Sequence, residues 1–166
     1  MNPTSSGAAE APDAIELIKQ DHRKVQMLFG DFEALRNRAA LEPDAKLRLV
    51  HEICAELSVH AQIEEEILYP AIRQAVGKED LVDAAEDAHA EAKTLIRELC
   101  RMQADDSSLD STVVALAKVV MQHVQEEERD LLTAARGELD VLQLGRRLAQ
   151  RQDELLPRVR QEIAGH

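Results

Sequence analysis

Four stretches of this sequence carry apolar residues at the spacing of one α-helical face, and a histidine interrupts each apolar face. Two of these faces also carry a glutamate one turn after the histidine. Ionisable side chains at such positions point into a core, where burial without a partner is expensive. The chain must therefore fold so that these side chains find a shared partner. The interrupting residues are His22, His60, Glu64, His89, His123 and Glu127.

The helical periodicity predicts an all-α protein, an antiparallel up-and-down four-helix bundle with an additional C-terminal fifth helix. Composition agrees, because aromatic residues make up only 2% of the 166 residues and Trp is absent. Pro70 has no N–H for the carbonyl of Glu66, which predicts a bend within the second helix. The predicted helices cover residues 13–40, 44–76, 79–103, 110–136 and 138–163.

The predicted helices divide the chain into three segments. Residues 1–12 are small and polar and predict a disordered N-terminal tail. Residues 13–136 contain the four interrupted helices and form the predicted bundle. Residues 138–163 form a predicted helix that packs on this bundle, and its apolar face carries no ligand-type residue.

The charge of the chain bears on its partners and location. A net charge of −12 and a pI near 4.9 argue against nucleic-acid binding and against anionic membrane surfaces. No apolar run approaches the ~20 residues of a membrane span, and the first residues lack the apolar stretch of a signal peptide. Two cysteines make no disulfide framework. These features predict a cytoplasmic protein.

The heights of the interrupting residues along the predicted helices agree with one shared site. Distances along consecutive helices are counted from the ends that a loop connects. On this count His22 lies at the height of His60, Glu64 at that of His89, and His89 at that of His123, each to within about one turn. Residues at one height of an antiparallel bundle meet in its centre. Metal ions are the partner that four imidazoles and two carboxylates favour.

The motifs His60-x-x-x-Glu64 and His123-x-x-x-Glu127 each place an imidazole and a carboxylate on one helix face. Carboxylates can bridge two cations, and imidazole is a ligand that suits iron. Two bridging glutamates and four histidines would give each of two metals two nitrogen and two oxygen ligands. A solvent-derived bridge would leave one open position on each metal.

The order His, His-x-x-x-Glu, His, His-x-x-x-Glu resembles the hemerythrin-like, HHE cation-binding family over about residues 13–136. The resemblance implies two non-haem iron ions joined by an oxo or hydroxo bridge. It further implies that His22 and His60 serve one iron, His89 and His123 the other, and that Glu64 and Glu127 bridge them. The local runs that carry it are Asp21-His22-Arg23-Lys24-Val25, His60-Ala61-Gln62-Ile63-Glu64-Glu65-Glu66-Ile67-Leu68-Tyr69-Pro70 and His123-Val124-Gln125-Glu126-Glu127-Glu128.

One departure separates this sequence from the oxygen carriers of that family. Carriers have a fifth histidine one turn after the third-helix ligand, where this sequence has Lys93. They place a carboxylate five residues after the fourth-helix histidine, at Glu128, although helical spacing here favours Glu127. The pattern thus resembles the family's branch with four histidines and two glutamates. This branch implies reaction with hydrogen peroxide, dioxygen or nitric oxide, including a catalase-like role in oxidative stress.

Several alternatives remain open at this point. The same ligands suit a non-catalytic module that senses iron or oxygen, or a protein that binds dioxygen reversibly. Zinc fits the ligand types, whereas a haem between two histidines leaves the other ligands unexplained. Whether the protein is an enzyme is likewise open.

Some neighbouring side chains are candidates for supporting the ligands. Glu65 and Glu128 are candidates to orient a ligand, as is Asp21 for a neighbouring helix. Lys93 either donates to bound peroxide or reaches solvent and pairs with a surface acid. Tyr69 follows Glu64 by five residues, so an α-helix would point it away from the ligand face. It either packs against its neighbours or serves as a ligand or radical relay.

Overall fold

The computed structural model describes residues 12–36, 38 and 43–165, and no β-strand occurs among them. Helices α1, α2, α4 and α5 form the predicted four-helix bundle, and α7 packs against α1 and α2. The predicted fold class is therefore confirmed. The predicted tail, apart from Pro12, and most of residues 37–42 lie outside the described residues. The helices are α1 (Ala14–Arg36), α2 (Pro43–Ile63), α3 (Tyr69–Ala75), α4 (Glu79–Arg101), α5 (Leu109–Glu126), α6 (Leu132–Ala135) and α7 (Val141–Ala164).

Local sequence signals set the helix ends. The Asp13 side chain accepts a hydrogen bond of 2.8 Å from the backbone N–H of Glu16, which caps α1 as the sequence predicts. Gly77 follows α3 with a φ of 81°, a left-handed conformation that glycine adopts at little cost and that stops the helix. Helix α7 begins after Asp140, whose side chain accepts from the N–H of Gln143. The second predicted helix thus ends close to its predicted end at residue 76, whereas α7 begins three residues after the predicted start at residue 138.

Two π-helical turns interrupt segments that the sequence predicts as continuous helices. They span Glu64–Leu68, between α2 and α3, and Glu127–Leu131, between α5 and α6. Each begins at the glutamate of a His-x-x-x-Glu motif. A π turn closes its hydrogen bonds from i to i+5, so residues five apart come onto one face. Pro70 follows the first turn, at the start of α3, but no proline follows the second, so proline is not their common cause.

The apolar core consists of two clusters, one toward each end of the bundle. One contains Ile18, Ile63 and Leu68, and the other contains Val25, Phe32 and Ile53. On α1 these clusters meet on either side of His22, which is itself buried. A buried polar layer therefore lies between two apolar ones, and the packing of the apolar clusters fixes its position.

Helix α7 is joined to the bundle by both apolar and polar contacts. Leu148 and Leu155 are buried against the first cluster. Arg151 donates at 2.8 Å to Glu66, which lies within the first π turn. Arg160 donates to Glu52 on α2. Among the described residues, none of the helices combines the length and apolar character needed to cross a bilayer.

The close approach of α7 to the start of α1 gives a stability prediction. We expect Gly145→Ala to lower the free energy of unfolding by about 1–3 kcal/mol, measured by urea denaturation. A methyl group on Gly145 would overlap sterically with the carbonyl oxygen of Pro12 and would lie 2.9 Å from the carbonyl carbon of Asp13. The matched control is Gly30→Ala in α1, whose methyl group meets no atom within 4 Å. The control should raise stability by about 0.5–1 kcal/mol, because alanine favours the helix. Equal stability of Gly145→Ala and wild type would contradict this packing.

Candidate metal centre

Six buried side chains converge in the polar layer between the two core clusters. They fall into two groups, and within each group the ligand atoms all lie within 4.8 Å of one another. The same two glutamates belong to both groups. All six residues that the sequence analysis selected are thus brought together. The first group is His22, His60, Glu64 and Glu127, and the second is Glu64, His89, His123 and Glu127.

Each glutamate contacts one histidine from either group. Glu64 Oε1 lies 2.9 Å from His60 Nε2 and 3.3 Å from His89 Nε2. Glu127 Oε1 lies 3.2 Å from His22 Nε2, and its Oε2 lies 3.3 Å from His123 Nε2. The two carboxylates therefore span the space between the groups, which is the position from which a carboxylate bridges two cations.

The donor atoms fit metal ions better than they fit one another. Nε2 of His89 lies 3.1 Å from Nε2 of His123. Buried atoms of His22, His60, Glu64 and Glu127 have no hydrogen-bond partner among the described residues. Burying polar atoms without partners lowers the stability of the fold. A metal cation that binds the lone pairs of these nitrogen and oxygen atoms removes that cost. The imidazole and carboxylate set is compatible with iron and also with zinc.

A second row of carboxylates lies behind three of the histidines. Asp21 Oδ2 lies 3.1 Å from His60 Nδ1, Glu65 lies 3.4 Å from His89 Nδ1, and Glu128 lies 3.7 Å from His22 Nδ1. A carboxylate at Nδ1 turns the other ring nitrogen, Nε2, toward the centre of the site. The positions of Asp21, Glu65 and Glu128 suit the orienting role that the sequence suggests.

Two residues from more distant segments support this second row. Lys93 donates to both oxygens of Glu65, at 2.6 and 2.8 Å, so it pairs with an acid as one of the two sequence alternatives proposed. Gln152, on α7, donates to both oxygens of Asp21 at 3.0 and 3.1 Å. The sequence analysis missed Gln152, because its partner is far away along the chain. Helix α7 thereby reaches a histidine of the site through one intervening carboxylate.

The charges of the site shift the pKa values of its members. Burial lowers the pKa of His89, but Glu64 and Glu65 raise it more, to about 9. Burial also lowers the pKa of His60, which Glu64 and Asp21 raise well above its usual range. For Glu127, burial raises the pKa, but the adjacent imidazoles of His123 and His22 hold it well below its usual range. Protons and metal cations therefore compete for the same imidazoles, and metal binding releases protons.

Tyr69 corrects one expectation from the sequence, which pointed its side chain away from the ligands. The tyrosine is fully buried, and its hydroxyl donates to Glu127 Oε2 and lies 3.3 Å from His89 Nε2. The physical reason is the π turn that starts at Glu64, which brings residue i+5 onto the ligand face. Burial, followed by the charges of Glu127 and Glu64, raises the pKa of Tyr69 well above its usual range, so the phenol keeps its proton.

A small cavity of about 30 Å³ lies on the side of the histidines away from the glutamates. Its lining is apolar apart from the four imidazoles and Lys93. A cavity of this size holds one small molecule of a few atoms. The apolar side chains on its wall include Val25, Leu57, Ala92, Ile96, Val120 and Val124.

Comparison with known proteins agrees with this geometry. The family model described as Hemerythrin HHE cation binding domain matches residues 13–135. The crystal structure of a Hemerythrin HHE cation binding domain-containing protein from Mycobacterium kansasii superposes with a TM-score of 0.71 over 88% of each chain, at 22% identity.

Two curated relatives match by sequence. A protein named DNA nickase from Nostoc sp. is 31% identical over 124 residues, which cover 75% of this chain and 34% of that protein. An uncharacterized hemerythrin-like protein of Schizosaccharomyces pombe is 27% identical over 116 residues, 69% of this chain and 55% of the relative. The chain therefore spans about a third and about half of the lengths of these relatives.

Proposed function

The chain belongs to the hemerythrin HHE cation-binding family, and on this basis we propose that it holds two non-haem iron ions joined by an oxo or hydroxo bridge. The ligands are the six residues of the two overlapping groups. The observation that carries this proposal is that both groups contain Glu64 and Glu127. A metal held by either group takes four of these ligands, and two metals that share the glutamates together use all six.

We further propose that the pair reacts with a small oxidant, with hydrogen peroxide as the leading candidate and a catalase-like outcome. Iron at this site would supply reversible changes of oxidation state. The chain's own residues orient the imidazoles through their Nδ1 partners and surround the adjoining cavity with apolar side chains. The cavity of about 30 Å³ admits peroxide, dioxygen or nitric oxide, but it has no room for a haem.

The absence of a fifth histidine favours turnover over reversible oxygen carriage. Lys93 stands where carriers have that ligand, and its amine is engaged by Glu65. Position 93 therefore contributes no donor to the metal pair. A non-catalytic sensor that uses the same cavity is the second candidate, because a ligand there touches helices from both halves of the bundle.

The proposal is tested by metal analysis together with peroxide assays on the pure protein. We expect close to two iron atoms per chain and evolution of dioxygen when hydrogen peroxide is added. The matched control is the same protein loaded with zinc, which has no redox chemistry and should evolve none. A stable coloured adduct without dioxygen evolution would favour the sensor or carrier. One metal per chain, or zinc alone from iron-replete cells, would contradict the iron pair.

We propose no nucleic-acid partner for this chain. The name DNA nickase belongs to a relative of which only about a third is matched. The net charge of −12 disfavours approach to a phosphate backbone. We also propose a cytoplasmic location, because two cysteines make no disulfide framework of the kind that small secreted domains use.

A further inference from the structure

The two cysteines of the chain lie together at the interface of α2 and α4, away from the metal centre. Cys54 is completely buried in the second core cluster, and Cys100 packs against the same cluster from the last turn of α4. His51 and Ser58, about one turn before and one turn after Cys54 on the same face of α2, line one groove together with Cys100, so Cys54 faces α4 at the level of Cys100. Cys54 precedes His60 on α2 by about one and a half turns, ~9 Å along the helix.

The two thiols differ in access to solvent. Cys100 is partly exposed and lines a surface groove between α2, α4 and α7, which Arg97, Arg101 and His51 also line. Cys54 has no exposed surface. A small oxidant that enters the groove therefore reaches Cys100 first and meets Cys54 only behind it.

The pair is also electronically unequal. The neighbouring Cys54 thiol lowers the pKa of the Cys100 thiol to about 7, despite the opposing effect of burial. The neighbouring Cys100 thiol, together with burial, raises the pKa of Cys54 far above its usual range. Thiolate is the reactive form of cysteine, so Cys100 is the nucleophile of the pair.

We propose that Cys54 and Cys100 are a peroxide-responsive dithiol, with Cys100 as the attacking thiol and Cys54 as the resolving thiol, which closes to a disulfide between α2 and α4. This modification site needs no metal and goes beyond the proposed function. The arrangement of an accessible thiol beside a buried one is the arrangement that redox-sensing cysteines use.

The reaction balances with hydrogen peroxide as the oxidant. The Cys100 thiolate attacks one peroxide oxygen, the O–O bond breaks, and the departing hydroxide takes up a proton to become water. Cys100 is then a sulfenic acid. The Cys54 sulfur attacks the Cys100 sulfur, the S–O bond breaks, and the hydroxide leaves as water with the proton of Cys54. Two thiols lose two electrons in total, and one peroxide becomes two waters.

The test is peroxide titration of the full, metal-loaded chain, followed by alkylation and mass spectrometry without reductant. We expect the oxidised wild type to lose two hydrogen atoms in mass, to resist alkylation, and to yield one cross-linked peptide pair that contains both cysteines. Both thiols should become alkylatable again after dithiothreitol. Wild-type thiols that stay alkylatable in excess peroxide would overturn the proposal, as would a disulfide that forms only between chains.

Two variants separate the roles of the two thiols. Cys54→Ala should leave Cys100 without a resolving partner, so peroxide should add two oxygen atoms to give a sulfinic acid. Cys100→Ser, at a partly exposed position that tolerates the change, should leave Cys54 unmodified under the same conditions. Circular dichroism confirms that each variant is folded. If Cys54 in Cys100→Ser reacts as fast as Cys100 in Cys54→Ala, the assignment of roles is wrong.

Discussion

Glu127→Gln is expected to empty both metal positions rather than one. The glutamate is a member of both four-residue groups, and its two oxygens contact histidines of different groups. Removing the charge leaves each group with a single carboxylate. Loss of even a supporting side chain outside the ligands costs about 10–100-fold in metal affinity. We therefore expect a loss of more than about a hundredfold in affinity for both metals, measured by metal analysis after dialysis.

The neighbouring residue provides the matched control for this variant. Glu128→Gln makes the same chemical change one position along, at a side chain that is 34% exposed and 3.7 Å from His22 Nδ1. We expect it to retain both metals, with at most a tenfold weaker affinity. If Glu128→Gln empties the site and Glu127→Gln does not, then Glu128 is the ligand, as in the oxygen carriers. Glu64→Gln should repeat the Glu127→Gln result.

Lys93→His is expected to slow dioxygen evolution from peroxide by at least about tenfold while the iron content stays the same. An imidazole at this position lies one turn after His89 and enters the small cavity that Lys93 now lines. It can also complete the coordination of the nearer metal, as the fifth histidine does in carriers. The cavity then has less room for an incoming oxidant. Initial rates at matched iron loading measure the effect.

The control for Lys93→His separates cavity filling from loss of the ion pair. Lys93→Gln also removes the contact with Glu65 but brings no metal ligand. It should keep a rate within about threefold of wild type, because its effect reaches the site only through Glu65 and His89. Equal slowing in both variants would assign the effect to the Glu65 contact. Wild-type rates in both would mean that position 93 does not control reactivity.

The sequence alone identified the fold and all six converging side chains for a physical reason. Ionisable residues on an apolar helical face are rare and expensive, so each one is informative. His22 and His123, which are distant in sequence, meet because helix lengths and caps such as Asp13 and Gly77 fix the height of each residue. Helix periodicity and helix ends are local properties, and both can be predicted from local sequence.

The orientation of Tyr69 could not be predicted in the same way. Helical periodicity was extended through Glu64 at 3.6 residues per turn, whereas the chain makes a π turn there. Only five residues change their hydrogen bonding, but every later side chain rotates with respect to the prediction. The sequence offers one signal, a tyrosine five residues after a buried glutamate, and this spacing is meaningful only once a π turn is assumed.

The contact between Gln152 and Asp21 was out of reach for a different reason. The sequence suggests Asp21 as a partner for a ligand on a neighbouring helix, but Gln152 lies 131 residues away, on the last described helix. Their pairing depends on how α7 lies across α1 and α2. Such a crossing follows from tertiary packing, for which single-helix patterns contain no information.

The two π turns also have a consequence for the equivalence of the metal positions. Each half of the bundle contributes one histidine, one His-x-x-x-Glu motif and one π turn, so the two halves offer the same set of ligands. The halves differ at the fifth residue after each glutamate, which is Tyr69 in one half and the buried Leu132 in the other. The Tyr69 phenol contacts His89, which belongs to one metal position only. Two chemically identical ions bound here would therefore have different surroundings and would be spectroscopically distinct.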